Sequence, residues 1–145
     1  MNPTIWSIQR NINLVNAGIT GIENSIQEYE NRRTNLQTVK RNHEMGIGVF
    51  QRSYDKVSNN ERLSSVKKTD KFEGEIADGL TKVVKNTFAS ISSVLGRGKT
   101  ISTEIDRQVG KINTKIEELK IKKNNQSTHL TNLKTDLRNA KRRTW

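Results

Sequence analysis

Ile5, Ile8, Ile12, Val15, Ile19, Ile22, Ile26, Tyr29 and Leu36 follow one another at alternating spacings of three and four, with only Arg33 breaking the series. That alternation draws a single apolar seam down one side of a helix for more than four heptads. A seam of this kind is covered only by another helix. The C-terminal third supplies one: Val109, Ile112, Ile116, Leu119, Lys123, Gln126, Leu130, Leu133, Leu137 and Ala140 keep the same alternation, with two polar positions in the middle. The seams are equally long and pair when run antiparallel, Ile5 with Ala140, Ile12 with Leu133, Ile26 with Leu119 and Leu36 with Val109. At ~1.5 Å per residue the shared seam is roughly 50 Å long. The chain is therefore predicted to be all-α, a long antiparallel helical hairpin resembling a coiled coil.

Carrying this register inward sets Phe50 against Leu95, Tyr54 against Ile91 and Val57 against Phe88. It also sets Gly46 and Gly48 opposite Gly98 and Gly96. A helical glycine costs ~1 kcal/mol against alanine, so facing pairs predict a weak point, a kink or hinge; the alternative is that these glycines end helices. The whole of 1–145 reads as one hairpin domain. Arm one spans about 4–57, a polar connection rich in Ser and Lys spans 58–71, arm two spans about 72–140, and 141–145 form a basic tail. Thr4, after Asn2 and Pro3, opens arm one, and Asp70 with Glu73 forms a capping box for arm two.

Arm two opens with Ile76, Ala77, Leu80, Val83, Val84, Phe88, Ile91, Val94 and Leu95. This stripe is wider than a two-helix seam requires, and a hairpin has no third layer to cover it. It predicts dimerisation or a partner, with folding back onto Met45–Phe50 as the alternative.

Chemistry is sparse. The chain has 31% apolar residues, 5% aromatic residues, one proline and no cysteine, too little oil for a layered enzyme core and no thiol chemistry. His43 and His129 fall on different arms, out of register and away from any carboxylate cluster, and read as solvated residues with no metal. Gly98-Lys99-Thr100 resembles the end of a phosphate loop, but position 93 is Ser93 and a helical pattern precedes it. Glu117 and Glu118 are helix surface. The expectation is a protein that is not an enzyme and carries no cofactor. No apolar run reaches the ~18–20 residues of a membrane span.

The formal charge is +11, and it is graded: residues 1–50 hold five bases and four acids, 51–100 ten and six, 101–145 eleven and five. Lys141, Arg142 and Arg143 close the gradient and are the candidate contacts for a polyanion. Sequence-reading of nucleic acid needs more aromatics than Trp6 and Trp145, which instead are expected to meet at one end of the hairpin.

Phe72-Glu-Gly74-Glu-Ile-Ala77-Asp-Gly-Leu80 has the spacing aromatic-x-Gly-x-x-Ala-x-x-hydrophobic just after the polar connection. In motif, size and layout the chain resembles the WXG-type helical proteins of Gram-positive type VII secretion, and most closely the YwqH-like proteins that accompany LXG toxins. Phe72 stands in the Trp position and Gly74 matches. The resemblance implies a non-enzymatic adaptor, a chaperone or targeting factor, for the helical N-terminal region of a secreted LXG-like toxin. On that reading Phe72, Gly74, Ala77, Leu80, Val84 and Phe88 form the contact core, beside a second small helical protein or a second copy of the chain. No Tyr-x-x-x-Asp/Glu export signal is present, since Arg33 follows Tyr29 and Ser58 follows Tyr54 at that spacing. The protein is then expected to be cytoplasmic, or co-secreted on a partner's signal. The alternatives are a basic nucleic-acid-associated coiled coil and a self-assembling structural coiled coil, in which Arg33, Lys123 and Gln126 set register.

Overall fold

The computed structural model describes residues 3–60 and 75–143. They form two helices, α1 (Pro3–Ser58) and α2 (Glu75–Arg142), packed against each other as a helical hairpin with no strand among the described residues. α1 begins with Pro3, whose missing N–H costs nothing in a first turn. α2 carries Lys141 and Arg142 in its last turn, so the helix runs into the segment expected to be a tail. Asp70, Glu73 and most of the connection lie outside the described residues.

Both helices are rich in Ser and Thr, which ordinarily weaken a helix by competing for backbone groups. Here many turn that tendency inward: Thr20, Thr34, Thr87, Thr114, Thr128, Thr131 and Thr135 each donate a hydroxyl to the carbonyl four residues earlier. The competing group is thereby satisfied within the helix.

The chain packs as two units, one made of Met1–Asn35 with Val109–Trp145 and the other of Leu36–Gln108. The first is the zipper that the heptads predict. Ile12, Ile22 and Ile116 are buried, and the seam positions between them are half-buried. Arg33 and Lys123 occupy seam positions without bringing charge inside. Each lays its stem along the seam and sends its head to the flank of the opposite helix, Arg33 to Asn113 at 3.1 Å and Lys123 to Glu23 at 2.8 Å. Both pairs lie one residue from the predicted register. These exposed contacts add little stability but disfavour a slipped pairing. Trp6 is exposed beneath Arg10, whose guanidinium sits 5.6 Å from the ring centroid; Trp145 lies outside the described residues.

The second unit keeps the register but changes its inward side chains. α2 presents Thr81, Val84, Phe88, Ile91, Leu95, Gly98, Ser102 and Ile105 without missing a step. α1 presents Lys40, His43, Ile47, Gln51, Tyr54 and Ser58, so two spacings of four follow one another around Ile47. This is a stutter, which locally unwinds a left-handed supercoil. Tyr54 packs on Phe88 with ring centroids 5.5 Å apart and meets Ser92 at 3.1 Å. The expected Phe50 and Val57 seam positions are corrected: both lie exposed on the flank, with Gln51 and Ser58 turned inward beside them.

Glycine explains the change. Gly46, Gly48, Gly96 and Gly98 all lie within unbroken helix, so they end nothing. Nor do they pair. A Cβ on Gly46 or Gly96 would meet open space, whereas one on Gly98 would overlap the Ile47 side chain, with Cγ1 at 3.1 Å. Gly98 is a hole and Ile47 the knob in it. The close approach this permits leaves no room for a phenyl one turn away, and Phe50 rolls out.

Lys40 shows how the unit handles charge in its seam. Its ammonium donates to both Asp106 oxygens at 2.7 Å and lies 3.4 Å from Glu44. The hydrogen bond to Asp106 holds the ammonium above the ordinary lysine value, and the charges of Asp106 and Glu44 add to this against a smaller opposing desolvation. A raised value means the contribution is complete below the unfolded lysine range and fades as pH climbs through the folded one. Wild-type protein should therefore lose stability in alkali beyond about pH 10, and Asp106→Asn should remove part of that loss. Denaturant titrations at neutral and alkaline pH would show it; identical pH profiles would reject the pair as a contributor.

Candidate functional site

The two sides of the Leu36–Gln108 unit differ. On one side the helices enclose an open cleft of about 570 Å³ lined by His43, Gly46, Ile47, Phe50, Val94, Leu95, Arg97, Gly98 and Ile101. Its walls are apolar, and Arg97 is the one Lys, Arg, Asp or Glu side chain among them. The other side holds a cleft of similar volume lined by Glu44, Ile47, Gly48, Gln51, Asp55, Lys99 and Ser102, which carries two carboxylates and an ammonium. Of these two clefts, the one lined by Phe50, Val94 and Ile101 carries the larger apolar side chains.

The oily side is a second stripe, displaced by one residue from the seam. Val39, Phe50 and Val57 recur at spacings of eleven and seven along α1, and Val83, Val94 and Ile101 recur at the same spacings along α2. Both intervals return nearly to the same helical azimuth. All six are large apolar residues left 42–62% exposed, and Leu80 joins them at 49%. Scattered singly they would need no explanation; recurring at one azimuth of each helix, with Phe50, Val94 and Ile101 lining the cleft, they form a surface that water does not favour.

His43, expected to be solvated, is half-buried and donates its Nε2–H to the Gly98 carbonyl at 2.8 Å. Because the carbonyl only accepts, the proton must sit on Nε2. The histidine thereby braces α1 against α2 at the floor of the cleft, where Gly98 brings the backbones close. His129 is exposed on α2.

The predicted contact residues separate. Phe72 and Gly74 lie outside the described residues, and Ala77 lies in the first turn of α2. Leu80 is on the open side. Val84 and Phe88 face the hairpin's own seam and are half-buried there. The width of the apolar stripe, which includes Val94, foretold an uncovered surface, but Phe50, Arg97 and Ile101 were not singled out as its members. The recurring spacings of eleven and seven were the signal that could have found them.

Other expected features have ordinary surroundings. Gly98, Lys99 and Thr100 are consecutive residues of a continuous helix, not a phosphate loop. Glu117 and Glu118 pair with Lys120 and Lys115 at 2.9 and 3.0 Å on the surface. Lys141, Arg142 and Arg143 are exposed at the end of α2. No metal-binding group of acidic, His or Cys side chains occurs among the described residues, and none of their helices is long and apolar enough to cross a membrane. Comparison with protein families, with curated proteins and with solved structures returns no match to this chain.

Proposed function

We propose that this protein is a non-enzymatic adaptor that receives an amphipathic helix of another protein along the apolar side of residues 36–108. The observation that carries the reading is the alignment of Phe50, Val94, Ile101 and Leu80, all exposed, along the side of the Leu36–Gln108 unit turned away from Glu44 and Asp55. A third helix laid there would complete a bundle layer, with its own residues at heptad spacing filling the cleft. On the motif at Phe72–Leu80, the helix belongs to the N-terminal region of a type VII-secreted LXG-like toxin. The chain would keep that region soluble and present it for export, with a second small helical protein or a second copy of this chain as a further member of the assembly.

The test is co-purification from native cells with Val94→Glu, Ile101→Glu and Leu80→Asp variants. Wild type should bring down a stoichiometric helical protein, and each variant should lose most of it while its far-UV circular dichroism stays unchanged. Retention of that partner by all three variants would reject the surface. Nuclease-sensitive nucleic acid in place of any protein partner would reject the adaptor reading and favour a polyanion contact on the Lys141–Arg143 end.

A further inference from the structure

We infer that the helix received by this cleft carries carboxylates along its flank, one of them opposite Arg97. The inference rests on the docking reading above and specifies the chemistry of the occupant. Three observations carry it. Arg97 stands at the edge of the apolar cleft and takes part in no ion pair among the described residues, whereas Glu44 and Asp55 line the opposite side. The two carboxylates of α2 that follow Arg97 within this unit are engaged within the chain, Asp106 with Lys40 and Glu104 with Arg107 at 2.7 Å. Finally, a second copy would bring another +11 charge and another unpaired arginine to the same edge.

A covering helix removes Arg97 from water, and that loss is offset only if the helix brings an acceptor for its guanidinium. An acidic amphipathic helix does so; a second copy of this chain does not, because its own cleft edge is cationic. Gly46 completes the site. It sits on the cleft wall with open space where its side chain would be, so no side chain of its own stands between the cleft and an incoming helix.

The experiment uses the full chain and two synthetic helices with leucine at heptad spacing, identical except that one carries Glu and the other Lys at the flanking positions. Calorimetry measures affinity at physiological salt, and methyl NMR maps the contact. The Glu helix should bind at least about tenfold more tightly than the Lys helix. It should shift the Val94 and Ile101 methyls while leaving those of Ile12 and Ile116 in place. Arg97→Glu should reverse the preference. Attraction by net charge alone would survive that variant, so an unchanged preference overturns the inference, as does equal affinity for the two helices or a contact mapped to Ile116. A wild-type dimer in sedimentation that Val94→Glu converts to monomer also overturns it, by showing that a second copy fills the cleft. If the helices fail these tests while the native partner is still lost from Val94→Glu, the docking surface stands and only the charge rule falls.

Discussion

Ile116→Ala should remove about 2–5 kcal/mol of stability, the range for deleting a branched side chain from a site that cannot collapse around the gap. Ile116 is 1% exposed, and with Ile12, Ile22 and Leu95 it makes up the buried apolar core among the described residues. Two packed helices bury a single row of side chains, so no neighbouring layer can move in to fill the space. Ile121→Ala, five residues along the same helix at 61% exposure, should change stability by no more than about 0.5 kcal/mol. Guanidinium titration followed by circular dichroism would measure both. Equal midpoints for the two variants would mean that the zipper of residues 1–35 and 109–145 is not what holds this chain folded.

The second large effect is expected at Gly98. Gly98→Leu should cost about 1–3 kcal/mol, because its Cβ alone already overlaps the Ile47 side chain and the helices would have to part. Gly96→Ala, two residues away, should instead stabilise by up to about 1 kcal/mol, since its new methyl meets nothing and only the helix propensity changes. Combining Gly98→Leu with Ile47→Ala should recover most of the loss, as the knob and the hole exchange helices. A double-mutant cycle should then give an interaction of about 0.5–3 kcal/mol between the two positions. Additive single effects would show that Ile47 and Gly98 are not in contact, and the stutter would lose its explanation.

Both variants bear on the cleft differently. Ile116 lies in the other packing unit, so its loss should leave binding of a helix by folded protein unchanged. Gly98 and Ile47 line the cleft floor, and His43 reaches the Gly98 carbonyl there. Widening the helix spacing at that level should weaken docking along with stability.

The hairpin was legible in the order of residues because heptad spacing is a property of one helix at a time. Ile5 to Leu36 and Val109 to Ala140 each state which face must be covered, and their equal lengths state how they align. The observed pairs Arg33–Asn113 and Glu23–Lys123 fall within one residue of that alignment. The uncovered surface was legible as well, since Leu80, Val83 and Val94 have no place in a seam already filled by Val84, Ile91 and Leu95.

What the linear pattern could not decide was the choice between adjacent candidates at one turn. Phe50 fits the periodicity better than Gln51, and His43 reads as a solvated residue. Only the packed helices show that Gly98 lets Ile47 in, that the close approach sends Phe50 outward, and that His43 and Lys40 find acceptors on α2. Periodicity fixes a helix's apolar face to within about one residue's width, ~100° of rotation. Settling which neighbour points inward takes the shape of the facing helix, and that shape exists only once the two have met.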